Sequence, residues 1–143
     1  MKVPENVKTV LESALKTRRI AVATATKSGI PNVAPLGYLF FLNDETLILV
    51  DNFFLKTRKN MDENPMVAVS FWQMEEKDGV LKVTDAYQVK GKVMIEESGP
   101  LYEKIKAEVK SRRPEHPVKA IVLMKVEEID TSKPGPDAGK RIV

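Results

Sequence analysis

Residues 51 to 65 read DNFFLKTRKNMDENP: an apolar run, TLILV, gives way to Asp51 and Asn52, and Lys56, Thr57, Arg58, Lys59 and Asn60 then fall on the first turns of a short predicted helix. Helix starts ordinarily favour acids, because the macrodipole places partial positive charge there. Here the charges are basic and a hydroxyl sits among them. Free backbone N–H groups, mobile cations and a hydroxyl donor together form a cradle for a phosphate. The same residues also suit a surface helix whose Lys56, Arg58 and Lys59 are merely solvated, and the pattern by itself leans that way.

Other chemistry has less to work with. The single histidine, His116, lies between Pro114 and Pro117 in a predicted loop with no nucleophile or orienting partner near it in sequence, so it reads as an exposed side chain. Glu75, Glu76 and Asp78, and Glu127, Glu128 and Asp130, read as solvated faces, and no metal site is expected from them. None of the serines sits in a Gly-x-Ser-x-Gly elbow, and there is no Gly-x-Gly-x-x-Gly or phosphate-loop motif. With no cysteine, thiolate metal sites and thiol redox chemistry are excluded, so any redox chemistry must come from a bound group.

These residues must be held by one domain spanning 1–143, since 143 residues support one core. Hydrophobic residues at 43% and charged residues at 30% place the chain among globular proteins, and a net charge of +3 suits a phosphorylated ligand without requiring nucleic acid. No run approaches the roughly 20 apolar residues of a membrane span, and the start, MKVPENVKTV, carries no apolar targeting segment, so a cytoplasmic protein with no membrane partner is expected. Val7, Val10, Leu11, Ala14 and Leu15 recur at helical spacing after Asn6, the expected N-cap. Then come IAVATAT, a turn at Gly29, the run PNVAPLGYLFFL, a turn at Asn43–Asp44 and TLILV, which read as three strands of an antiparallel meander.

After the short helix, MVAVSFW and AYQVKGKVMI read as strands around a loop or hairpin at 74–83. A helix begins near Ser98, with Leu101, Ile105 and Val109 on one face, and VKAIVLMKVEEI is the last strand. The segment 131–143, rich in proline and glycine, reads as an irregular tail. Six strands joined mostly by hairpins, with two or three helices at the periphery, predict a mainly β fold: an antiparallel six-stranded barrel rather than parallel βαβ winding.

The ordered set of helix, IAVATAT, PNVAPLGYLFF, TLILVDN, LKTRKNMDENP, MVAVSF and YQVKGKV resembles the pyridoxamine 5'-phosphate oxidase-like family of FMN-binding split barrels, from about Val10 to Ile129. The resemblance implies a homodimer with FMN in a groove at the two-fold interface and the phosphate held where a strand passes into the short helix. Carried over, it makes Lys56 and Thr57 phosphate ligands and turns Asp51 and Asn52 toward the ribityl chain. It sets Asn32, Pro35, Leu36 and Gly37 along the isoalloxazine edge and has Gln88 reach the flavin from the partner subunit. The residue types agree with a flavin, which needs an apolar slot, a few backbone donors and one positive end. Where vitamin-B6 oxidases of the family carry an arginine-containing motif for the substrate phosphate, this chain has KPGPDAGKRIV, so that oxidation is not expected. The tail is expected to cross the partner's flavin or to fray.

The function this predicts is an FMN flavoprotein, an oxidoreductase taking hydride or electrons from NAD(P)H or another small-molecule donor, with no catalytic side chain of its own. A flavin-holding electron carrier or store would use the same pocket, and a deazaflavin could use the same cationic helix start. A nucleic-acid-binding barrel is disfavoured: aromatics are only 6%, and Phe40–Phe41, Phe53–Phe54 and Phe71–Trp72 are adjacent pairs that point to opposite strand faces.

Overall fold

The computed structural model describes all 143 residues. Seven strands form one antiparallel sheet: β1 (Ile20–Ala25), β2 (Pro31–Pro35), β3 (Leu39–Asn43), β4 (Thr46–Asp51), β5 (Met66–Lys77), β6 (Val80–Glu96) and β7 (Ala120–Thr131). Three helices, α1 (Glu5–Thr17), α2 (Lys56–Glu63) and α3 (Pro100–Arg112), lie around it. The mainly β antiparallel architecture with peripheral helices agrees with the sequence reading, but the strand count does not. The run PNVAPLGYLFFL is two strands, because the chain leaves the sheet at Leu36–Tyr38.

That break changes the topology. The spatial order is β2-β1-β5-β6-β7-β4-β3, so β2 and β3 sit at opposite edges and the expected meander is absent. In a flat sheet, six strand spacings would separate those edges by roughly 29 Å. The four Cα steps from Pro35 to Leu39 span at most roughly 14 Å. The sheet therefore curls strongly, although no ladder joins β2 to β3 and hydrogen bonds do not close it into a barrel.

Curling gives the sheet an inside. Val22, Leu47, Leu49, Val69, Phe71, Val89, Met124 and Ile129 fill it, and Val7, Val10, Leu11 and Ala14 of α1 plug one end. A second, smaller cluster forms outside, where Tyr102, Ile105 and Val109 of α3 cover Ile48, Val50 and Ile121. β4 is thus buried on both faces, which explains why its sequence is a continuous apolar run rather than an alternating one. Segment 74–83 is a hairpin: β5 and β6 pair out to Lys77–Val80 around a turn at Asp78 and Gly79, both with positive φ.

Two local expectations need correcting. Pro4, not Asn6, occupies the α1 N-cap position, and the Asn6 amide donates instead to the Tyr87 hydroxyl at 3.3 Å. The tail is not frayed: Arg141 bridges Asp130, and the Ile142 and Val143 N–H groups both donate to the Ile129 carbonyl. This covers the stretch of β7 beyond the end of β4, an otherwise open sheet edge.

Candidate functional site

β4 ends in a fully buried carboxylate. Asp51 is 0% exposed and accepts hydrogen bonds from the Phe54 N–H at 3.0 Å and from Arg58 at 3.2 Å, with the Lys119 ammonium 3.6 Å away. Lys119 also donates to the Phe54 carbonyl, and its backbone N–H to the Asp51 carbonyl at 2.9 Å. These bonds fix the turn from strand to helix. Burial pulls the Arg58 guanidinium down, but the hydrogen bonds it donates to Asp51 and Glu97 overcome that and hold it above its ordinary range.

The turn delivers α2 with an uncapped start. Leu55 is at the N-cap, no side chain bonds to the first-turn N–H groups, and no acid lies in that turn. Lys56 is exposed, whereas Thr57 is only 3% exposed. The Asn32 amide on β2 donates to the Thr57 hydroxyl at 3.0 Å, which leaves the hydroxyl proton available to another acceptor. Farther along α2, Asn60 donates to Thr24 on β1 at 3.1 Å and holds the helix against the sheet.

An open groove of about 530 Å³ begins at this helix start. Of the nine residues expected from sequence, Asn32, Pro35, Gly37, Asn52, Lys56 and Thr57 line it. Leu36 does not, because its side chain turns into the main core at 2% exposure. Asp51 lies underneath as the anchor just described. Gln88, on β6 opposite Ser70 and Asp130, faces away from the core and away from this groove. Asn52 donates to the Pro117 carbonyl at 2.8 Å, which ties the loop between α3 and β7 to the end of β4.

That loop brings residues the sequence reading passed over. His116 lines the groove, with its ring edge-on to Tyr38 (centroids 6.0 Å apart) and Phe53 (5.7 Å), and its Nδ1 lies 3.3 Å from the Tyr38 hydroxyl. It is half-buried, not a free loop side chain. Arg18 and Arg113 line the same end, and Arg18 donates to the Gly37 carbonyl at 2.7 Å. No sequence signal links positions 18, 37, 38, 53, 113 and 116, because long-range pairing alone brings them together. Val33, Phe53 and Leu55 stand on the rim, 70%, 70% and 81% exposed. Phe53 and Phe54 point opposite ways, as adjacent residues should, and Phe54 enters the core.

The curled antiparallel sheet thus presents a cationic, uncapped helix start at one end of an apolar-rimmed groove. The chain belongs to the pyridoxamine 5'-phosphate oxidase family, whose model matches residues 3–133. It is 36% identical over 132 residues to an uncharacterized protein of Methanocaldococcus jannaschii, covering 90% of this chain and 83% of that one. Among solved structures it is similar to HupZ of Group A Streptococcus, with a TM-score of 0.73 and 25% identity over 96% of this chain and 99% of that one. An FMN-binding protein from Syntrophomonas wolfei has the same fold, with a TM-score of 0.71 at 18% identity over 87% of this chain and 86% of the other. Membership of the family supports a general flavin-binding, oxidoreductase-type role. No helix is long and apolar enough to cross a membrane, and no cluster of three or more His, Cys, Asp or Glu side chains could hold a metal ion.

Proposed function

We propose that this chain is an FMN-binding flavoprotein acting as an oxidoreductase, with hydride or electrons from NAD(P)H or another small-molecule donor passing through FMN at the interface of a homodimer. The observation that carries the reading is the α2 start: Lys56, a Thr57 hydroxyl oriented by Asn32 and uncapped N–H groups converge on one end of the groove. This donor set suits a phosphate dianion, and an apolar slot leading from it suits a flat ring. When bound, the flavin supplies the redox chemistry.

The chain's own residues bind and orient. Lys56, Thr57 and the helix N–H groups hold the phosphate, with Asn52, Pro35 and Gly37 along the ligand. Tyr38 lines the groove beside them, and Asn52 is held by its hydrogen bond to the Pro117 carbonyl. The groove is open, and its exposed rim residues Val33, Phe53 and Leu55 are what a second copy would cover to exclude water. Gln88, facing outward from β6, is the residue assigned to reach the flavin of the opposite subunit. No side chain is assigned a proton-transfer or nucleophilic role.

The test is the absorption spectrum of purified protein and a titration with FMN followed by flavin fluorescence. A yellow protein that quenches FMN is expected, and Lys56→Ala with Thr57→Ala should weaken retention about 100-fold, since each charge-assisted contact contributes about 1.5 kcal/mol. A colourless protein indifferent to FMN, or a double variant that holds it as tightly as wild type, overturns the assignment. Oxidation of NADH or NADPH above the rate of free FMN separates an enzyme from a flavin carrier.

A further inference from the structure

The hairpin of β5 and β6 outruns the sheet that supports it. β1 pairs with β5 only as far as Phe71, with one further bond from the Trp72 N–H to the Arg19 carbonyl, and β7 and the tail bond to β6 no farther than Ala86. Residues 73–85 therefore form a two-stranded ribbon with both edges open. At about 3.3 Å per residue it stands roughly 17 Å clear of the sheet from Trp72 to Lys77. A ribbon of this kind is marginal in water by itself.

Its two sides differ. Cross-strand partners and alternate residues share a side, so Met74, Glu76, Leu81 and Val83 lie on one and Glu75, Lys77, Val80 and Lys82 on the other. The second side is charged apart from Val80, and a single exposed apolar residue of that sort is ordinary. The first side is apolar apart from Glu76, yet Leu81 is 57% exposed and none of Met74, Leu81 and Val83 joins either hydrophobic cluster of the protein. A hairpin that only projects into water gains nothing from such asymmetry. The apolar side also has a definite place on the sheet: alternation along β5 puts Met74 in line with Trp72 and Ser70, and Ser70 is the cross-strand partner of Gln88. It therefore continues the sheet face that carries Gln88.

We infer that the ribbon is a clasp for a second copy of this chain: the arm of one copy lies with Met74, Leu81 and Val83 over the mouth of the other copy's groove, against the exposed Val33, Phe53 and Leu55. The inference rests on the homodimer of the flavin reading and on its assignment of Gln88 to the opposite groove. From Gln88 to Leu81 the strand runs roughly 23 Å, enough to carry the arm from the flavin across the groove rim. Two apolar surfaces, each exposed in a single copy, leave water together. Charge agrees with this pairing. The groove is lined by Arg18, Lys56 and Arg113 and by no carboxylate, so Glu76, the one charge on the apolar side of the arm, arrives among cations. The arm thereby adds a wall to the flavin slot of the opposite copy.

The test uses two neighbours of nearly equal exposure on opposite sides of the arm, Leu81 at 57% and Val80 at 59%. Sedimentation equilibrium and the rate of FMN release from the loaded protein are measured for wild type, Leu81→Asp and Val80→Asp. Leu81→Asp should weaken self-association and speed FMN release, each at least tenfold, while Val80→Asp should match wild type in both. Excision of residues 75–82, with Met74 and Val83 rejoined through an Asn-Gly turn, should reproduce Leu81→Asp. None of the excised residues belongs to a hydrophobic cluster, so that variant should keep its circular dichroism apart from the lost strand. Equal behaviour of the Leu81 and Val80 variants, both harmless or both harmful, overturns the inference, as does a wild-type monomer. A dimer loosened by Leu81→Asp in a protein that takes up no FMN overturns the flavin reading and leaves the clasp standing. FMN retained at wild-type strength by a Leu81→Asp protein that still pairs as wild type does the reverse.

Discussion

At the scale of single residues, the groove depends on a carboxylate that never touches it. Asp51 joins the end of β4, the Phe54 N–H, Arg58 and Lys119, and so sets where α2 begins. Asp51→Ala should cost about 3 kcal/mol in urea unfolding, near the lower end of the range for breaking a buried pair, because Arg58 keeps its 2.7 Å contact with Glu97. It should also loosen FMN binding with Lys56 and Thr57 intact. A second charged group, Lys90 with Asp130 (2.8 Å) and Glu128 (3.1 Å), ties β6 to β7. Burial raises the Asp130 carboxyl, but the hydrogen bond from Lys90 and the nearby Lys90 and Arg141 cations hold it below its usual range. Lys90 is held above its own, chiefly by Asp130. A depressed carboxyl stabilises the fold above its unfolded pKa, and that contribution is lost as pH falls through the lower folded value. Asp130→Asn should therefore cost about 1 kcal/mol at neutral pH, with the gap from wild type closing below about pH 4 in pH-dependent urea melts.

At the scale of elements, close approach matters more than propensity. Gly91 lies at the bulge where β6 shifts register against β7, and a β-carbon there would collide with the Lys125 carbonyl. Both strands are interior to the sheet, so the backbone has little room to yield. Gly91→Ala should cost about 2–3 kcal/mol in urea unfolding, whereas Gly37→Ala, whose new methyl would meet Asn52 at an ordinary 3.5 Å, should cost under about 1. The elements themselves were largely legible. Apolar spacing located α1 and α3, alternation marked β6, and Pro65 marked the end of α2. The reading failed at Leu36–Tyr38, where Pro35 and Gly37 are the only local signs of a three-residue excursion within a run read as one strand. Only the curl of the sheet requires the chain to cross there from one edge to the other.

At the scale of the whole molecule, the site lies at an open surface. The exposed side chains Val33, Phe53 and Leu55 border the groove, and a homodimer that buries them needs at least about 1,000 Å² of interface. Sedimentation of the FMN-loaded protein should give twice 16.0 kDa. Phe53→Asp with Leu55→Asp should shift it to one copy and weaken FMN retention at least tenfold, with little change in the helix and strand content seen by circular dichroism. A wild-type monomer that still retains FMN would remove the dimer from the reading.

The amino-acid sequence by itself determined local terms: most of the segments that form helices and strands, and that a cationic turn into a short helix follows β4. Those follow from periodicity, turn chemistry and side-chain type, which act over a few residues. The tertiary structure alone decided that PNVAPLGYLFFL splits between two sheet edges, that Asp51 and Leu36 turn inward, and that Arg18, Arg113 and His116 meet at one end of the groove. Those facts depend on contacts between residues as far apart as positions 18 and 113, set by how seven strands curl around a single core, and no short stretch of chain encodes them.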